Sequence, residues 1–435
     1  MIPGGSFYLR MNQPAATNDP NSSHDDPISY AARWLVPVDA PPIENGCLVV
    51  RGETIAAVGP RRIAEGRVVD LGDVIVMPGF VNAHVHLEFS DLQCPLGSAG
   101  APFPDWLRAV IAHRRRIDFQ AGAAVEHGLA ESRLAGVTTL GEISSADPWQ
   151  WFTPARLEAE TRVVAFVELI GLSEPRASTQ IERLEEFLRR NDGPSLRRGI
   201  SPHATYTVRP SLFEAAVSAS AKRRVPLAFH LAESREELQL LAAGCGPLVD
   251  YLRELGAWQD DAIPRGLRPL DYLKSLTGAH RALVVHGNYL ADDEIEFLAA
   301  RADRMTTVYC PRTHAYFAHE PHPLPKLLAA GAAVAVGTDG RCTNPDLNLL
   351  EELRFIAAAY PQLSPERILQ LGTLDGARAL GLAHEVGSLT PGKRADFITI
   401  RSGASLRDPA AAVLSPRSNV VARPTARVAS QRSRE

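Results

Sequence analysis

After Pro78 the chain settles into a repeating texture that leaves few folds open to it. Eight short, near-continuously apolar runs follow one another: GFVNAHVH, GVTTLGE, RVVAFVELIG, RGISPHATY, VPLAFHLAES, ALVVHGN, MTTVYCPRT and AVAVGTDG. Between them lie stretches such as AAVEHGLAESRLAG, TQIERLEEFLRRN, PSLFEAAVSASAKRR and DDEIEFLAARA, with apolar residues at i, i+3 and i+4. Strand-length runs that are apolar on both faces belong in a parallel sheet covered on both sides. Eight strand-then-helix units therefore predict an α/β fold, a (β/α)8 barrel of TIM type.

The flanks read differently. Residues 28–76 hold the short β-like runs ARWLVPV, GCLVVRG, TIAAVG and GRVVDLGDVIV, punctuated by Gly, Pro and Asn. GSLTPGKRADFITI returns to that texture near the other end. The expected division is a small β-sandwich domain built from 28–76 and 385–402, with a barrel over 77–384 between its halves. Residues 1–27, rich in Asn, Asp, Ser and Pro, are expected to be a disordered extension. The Arg-, Ser-, Ala- and Pro-rich residues 403–435 are expected to be a poorly ordered tail.

Charge and composition narrow the partners. A formal net charge of −4 over 435 residues gives no electrostatic reason to expect nucleic acid or an anionic membrane. A small-molecule ligand is the better expectation. The five cysteines, Cys47, Cys94, Cys245, Cys310 and Cys342, are scattered without CxxC spacing, which suits free thiols in a reducing cytoplasm. The opening MIPGGSFYLR lacks a secretory pattern, and no apolar run approaches membrane-spanning length.

In barrels of this kind the active site gathers at the C-terminal ends of the strands, so the polar residues there carry the functional signal. Strand one ends in His84 and His86, strand four in His203, and strand five in His230 with Glu233 three residues on. Strand six ends in His286, strand seven in CPRTH with Arg312 and His314, and strand eight in Asp339. A lone HxH pair is weak in a chain with 13 histidines, and a single strand histidine is usually a hydrogen-bonded core residue. The set is another matter, because buried ionisable groups are costly unless paired or metal-bound. Side chains two apart on a strand share a face, so His84 and His86 can point together into the barrel mouth. With His230 and Asp339 they make a three-nitrogen, one-oxygen cage suited to zinc or ferrous iron. An open coordination position lowers the pKa of a bound water towards 7, which implies hydrolysis. Glu233 is then placed to carry a proton from water to a substrate ring nitrogen, with His286 and Asp339 orienting the water and collecting its second proton. The plainer reading of Glu233 is a first-turn acid of the following helix, SREEL.

At these residues the chain resembles the amidohydrolase superfamily, in the branch that deaminates purines and related cyclic amidines. The matching motifs are PGFVNAHVH, SPHATY, HLAE, VHG, GTDG and the closing GSLTPGKRADF, spread over about residues 28–400. The resemblance implies the split β-domain and a metal site of His84, His86, His230 and Asp339. It also implies Glu233 and His286 as the proton-handling pair, and His203 as a substrate contact, often to a ribose hydroxyl. Dinuclear members carry a lysine at the end of strand four; none stands there, which implies one divalent metal ion. A homodimer is common among such relatives.

A finer resemblance joins HVHLEFS, PFPDWLRAVIAHRR and YCPRTH…GTDGRCTNPDLNLLEELR to the aminodeoxyfutalosine deaminases of menaquinone biosynthesis. It implies Glu88, Trp106 and Arg312 as substrate contacts. One of Arg114, Arg115 and Arg116 would then meet a benzoate carboxylate, although the run also reads as a solvated helix face and Trp106 as helix packing. The remaining alternatives are deamination of methylthioadenosine, S-adenosylhomocysteine or guanine, chloro-triazine dechlorination or cyclic-amide opening, and a barrel without catalysis that serves as a scaffold. Family members usually finish with a further strand pair after the segment matching ASLRDPAAAVLSPRSNVV; here ARPTARVASQRSRE follows, without β alternation.

Overall fold

A strand needs partners for its backbone, and the ladder registers show how each run found them. The computed structural model describes residues 26–116, 119–157, 161–403 and 407–422. Five strands come first: β1 (Ile28–Leu35), β2 (Ile43–Arg51), β3 (Thr54–Pro60), β4 (Arg67–Asp70) and β5 (Ile75–Pro78). Eight parallel strands follow in sequential order: β6 (Phe80–Val85), β7 (Val137–Ser144), β8 (Arg162–Leu169), β9 (Leu196–Pro202), β10 (Leu227–Leu231), β11 (Ala282–His286), β12 (Met305–Tyr309) and β13 (Ala333–Val336). Each coincides with one of the eight apolar runs. The amphipathic stretches between them form the helices Ala121–Leu134, Glu174–Arg189, Pro210–Arg223 and Asp292–Ala299.

The eight strands curl into a nearly closed (β/α)8 barrel. Its seam joins the last strand to the first. Asp339 donates its backbone N–H to the His84 carbonyl (3.1 Å), and the Asn82 side chain accepts from the Thr338 backbone N–H (3.1 Å) and donates to the Thr338 hydroxyl (2.7 Å). Val81, Ala83, Val164, Phe166, Ala228, Leu283, Val285, Val308 and Ala335 form one fully buried cluster from facing strands, so the barrel is packed below its mouth.

The small domain is one mixed sheet in the order β15-β14-β5-β1-β2-β3, with β4 beside β1. Its last strands are β14 (Phe397–Ser402) and β15 (Ser418–Ala422). Here the structure corrects the expected tail. Beyond residue 403 the chain forms a helix, Pro409–Leu414, and then β15, which pairs antiparallel with β14. Five residues, SNVVA, are too few to display alternation; they become a strand because β14 offers an open edge. Arg354 fixes the approach by donating to the carbonyls of Ser415 and Ser418, both at 2.7 Å. The disordered reading of residues 1–27 and the tail from 423 onward lie outside the described residues, apart from Asp26 and Pro27. Among the described residues no helix is long and apolar enough to cross a membrane, and all five cysteines are free thiols.

Candidate metal centre and active site

The first barrel strand carries an irregularity where its chemistry begins. The register of β6 against β7 shifts between Asn82 and Val85, a bulge of the kind that re-aims side chains beside a site. His84 and His86 emerge there with ring centroids 5.0 Å apart, and His230 from β10 lies 4.9 Å from His84 and 5.7 Å from His86. One ligand nitrogen from each of the three lies within 4.8 Å of the others. The Asp339 carboxylate stands 3.7 Å from His84 Nε2 and 3.8 Å from His86 Nε2.

Hydrogen bonding says which atoms face the cluster. His230 Nδ1 lies 2.8 Å from the His203 carbonyl, which can only accept, so Nδ1 carries the proton and Nε2 presents its lone pair. Both ring nitrogens of His84 and Nδ1 of His86 are buried without a hydrogen-bond partner. Orphaned imidazole nitrogens in a dry site are costly, and converging lone pairs fit a cation. Burial above all holds His86 and His230 well below the usual imidazole range, and pushes His203 and His286 down to about 3. These rings are neutral at pH 7.

Three strand-end residues adopt left-handed backbone angles: Ala232 (φ 55°), His286 (φ 70°) and Asp339 (φ 56°). The reversal after β10 sets Glu233 beside His286, with Oε1 3.4 Å from His286 Nε2. Glu233 is fixed from both sides of its backbone. Its N–H donates to Glu237 Oε2 (2.8 Å) and its carbonyl accepts from Asn288 Nδ2 (2.9 Å). Glu237 also receives the Thr205 hydroxyl, and burial pushes its carboxyl up to about 7. Burial, then the charges of Asp339 and Glu237, push the Glu233 carboxyl well above the ordinary range. His322 stacks on Tyr309 and donates Nε2–H to the His286 carbonyl (3.0 Å), fixing the backbone of the β11 end.

The sequence expectations meet different fates here. His84, His86, His230, Asp339, Glu233 and His286 come together. His203 adjoins them, its ring 5.0 Å from that of His230 and its Nδ1 hydrogen-bonded with Thr207. Glu88 is buried on the turn after β6, bonded by Arg114 (2.5 Å) and the Ser145 hydroxyl (2.9 Å). Trp106 gives its indole N–H to the Cys342 carbonyl (3.2 Å) and packs on Phe103 and Phe317, which supports the packing role. Arg312 is a correction. Its guanidinium is spent on Glu352 (2.7 Å) and Asp346 (2.7 Å) and on nearby carbonyls, so it ties the short helix Pro311–Tyr316 after β12 to the helix Leu349–Ala359 with all three of its nitrogens engaged. His314 likewise bonds the Glu320 carbonyl.

The arginine run is corrected too: Arg115 and Arg116 are exposed, but Arg114 turns inward to Glu88 and Glu168. Glu142 and Glu168, at the ends of β7 and β8, were not singled out from the sequence, although both stand in plain view at the ends of GVTTLGE and RVVAFVEL. Burial, with Glu88 and Glu168 nearby, pushes the Glu142 carboxyl well above its usual range.

Comparison with known proteins gives the family. Residues 75–423 match the amidohydrolase family, four-fifths of the chain. The chain belongs to the amidohydrolase family. This amidohydrolase is 31% identical over 382 residues to the 5-methylthioadenosine/S-adenosylhomocysteine deaminase of Nitratidesulfovibrio vulgaris, covering 82% of this chain and 80% of that one. It is 28% identical over 350 residues to the aminodeoxyfutalosine deaminase of Deinococcus radiodurans, covering 77% and 81%. Among solved structures it resembles the Helicobacter pylori aminofutalosine deaminase in complex with methylthio-coformycin. The TM-score is 0.78 at 23% identity, over 90% of this chain and 97% of that one. A zinc-bound adenosine deaminase from Xanthomonas campestris gives 0.75 at 24%, over 92% and 91%. At those identities the structural likeness speaks for the fold. Family and relatives together make this amidohydrolase a hydrolytic enzyme of C–N bonds.

Proposed function

We propose that this amidohydrolase removes the exocyclic amino group of an adenine-type nucleoside by hydrolysis, releasing ammonia. The observation that carries the reading is the Glu233–His286 contact of 3.4 Å beside three converging imidazoles. The donor set fits one divalent cation, zinc or iron, held by His84, His86, His230 and Asp339. Such a cation, when bound, supplies Lewis acidity that brings the pKa of a water towards neutrality.

The chain's own groups handle the protons. Glu233, its proton affinity raised by burial, takes one from the attacking water at its carboxylate and passes it to the ring nitrogen next to the reacting carbon. His286, neutral at pH 7, orients the water through Nε2 and, with Asp339, receives the second proton. The water oxygen bonds to the amidine carbon, the second proton is passed on to the exocyclic amino group, the C–N bond breaks, and ammonia departs. His203, whose ring adjoins that of His230, is assigned to the nucleoside's sugar.

Aminodeoxyfutalosine is the expected substrate if an arginine is free to meet its benzoate. Glu88 and Glu168 engage Arg114, which shifts the balance towards 5′-methylthioadenosine or adenosine. The test is ammonia release by metal-loaded protein from these nucleosides and guanine, with chloride release from a chlorotriazine as control. Ammonia from an adenine nucleoside supports the reading; none from any, with metal bound, overturns it. Glu233→Gln should lower kcat by about 10²-fold or more while metal content holds. Loss of metal instead would reassign Glu233.

A further inference from the structure

The part of the site beside His203 carries an unusual balance of charge. Arg114, at the end of the helix Phe103–Arg114, places its guanidinium 2.5 Å from Glu88 and 3.8 Å from Glu168. Both carboxylates are buried, at 2% and 4% side-chain exposure, and Glu168 Oε1 lies 4.0 Å from His203 Nε2. The guanidinium also covers the Phe89 ring, 5.1 Å from its centroid. A third carboxyl, Glu142, is fully buried near them, with one oxygen accepting the Leu87 N–H (3.0 Å). The neighbouring cation, Arg183, spends Nη1 and Nη2 on the carbonyls of Glu168 (3.1 Å) and Ser145 (2.8 Å). Among the described residues, then, Arg114 is opposed by two buried carboxylates, Arg183 is turned to backbone carbonyls, and the three carboxyls along this wall outnumber the two guanidiniums.

We infer that this wall selects against anionic substrates: Arg114 neutralises Glu88 and Glu168 instead of docking a carboxylate or phosphate, so the preferred nucleoside is uncharged in its non-purine half. The inference rests on the deaminase reading and sharpens it to a substrate class. An incoming anion here meets a guanidinium whose charge is already opposed by two buried carboxylates, and in a buried site like-charge contact is felt most strongly. Arg114 is a positioning residue: it holds the two acids in place.

The experiment compares kcat/KM for adenosine and 5′-methylthioadenosine with that for aminodeoxyfutalosine and adenosine 5′-monophosphate, a carboxylate and a phosphate carrier. The metal-loaded enzyme should favour the uncharged pair by about tenfold or more. Glu168→Gln, which frees part of the guanidinium's field, should narrow that ratio several-fold. Arg114→Met, which leaves the acids unopposed, should widen it. Metal content and melting temperature separate these effects from loss of fold, since a purely structural role lowers all four substrates together. Equal efficiency of the wild-type enzyme on anionic and uncharged nucleosides overturns the inference, as does an unmoved ratio in Glu168→Gln. If no nucleoside is deaminated, the proposed reaction falls instead, and equilibrium binding of the same four compounds to Glu233→Gln decides the charge preference by itself.

Discussion

Ala232, His286 and Asp339 hold backbone conformations that L-residues avoid, and all three stand where a strand ends at the site. Each costs on the order of 1–3 kcal/mol, and such strain persists where surrounding contacts over-determine the position. The contacts are visible: the Asp339 N–H is held by the His84 carbonyl, His286 by His322, and the residue after Ala232 by Asn288 and Glu237. Removing one such hold should loosen a side chain without removing it. Asn288→Ala is expected to lower kcat by about tenfold with KM and metal content little changed, because a proton carrier displaced by a fraction of an ångström loses rate before binding. A drop in metal content alongside kcat would show that Asn288 supports the cage instead. The imidazoles, Glu233 and Asp339 were legible in the sequence because their spacing and strand-end positions are unusual. Arg114 was not, since a run of three consecutive arginines at a helix end gives no sign of which one turns inward.

The strand that bears the HxH pair is hemmed in by residues without side chains. A Cβ on Gly141 would meet the Ala83 carbonyl oxygen at 2.4 Å, one on Gly376 that of Val81 at 2.7 Å, and one on Gly337 that of His84 at 2.7 Å. Backbone cannot swing aside as a side chain can, so any methyl there must move β6 itself. Gly337→Ala should therefore reduce metal occupancy and activity together, with a stability loss of about 1–3 kcal/mol from overpacking; elemental analysis and thermal melting check it, and full occupancy would contradict the crowding argument. The helix after Glu233 shows how one motif serves two ends. Ser234 caps it by accepting the Glu237 N–H, and Glu237 reaches back to the Glu233 N–H, so S-R-E-E is both a helix start and a brace for the acid before it. The eight barrel strands were legible because near-continuous apolar runs of four to eight residues, repeated eight times, are distinctive. β15 was not, because a short edge strand takes its identity from its neighbour and not from its own pattern.

Across the whole molecule the buried histidines set a direction for pH. His203, His286 and His322 are pushed down to about 3 by burial, from an ordinary value of 6.5. Between those values the unfolded chain binds protons at these positions that the folded chain does not, so the histidines' share of the stability rises with pH through this window and is lost as acid is added, while the raised carboxyl of Glu237 pulls the other way. Denaturant melts at pH 7 and pH 4.5 isolate one of these groups by difference: His322→Gln should lose less stability than the wild-type chain between the two, and an equal change in both would mean that His322 is not kept neutral by the fold. The small sheet draws β1 to β5 from one end of the chain and β14 and β15 from the other, with Ile75 to Pro78 paired against Phe397 to Ile400. During synthesis some three hundred intervening residues must leave the ribosome before β5 meets its partner. Until then that edge stays open to any passing strand, and a nascent chain of this design depends on the barrel folding quickly enough to deliver its missing half.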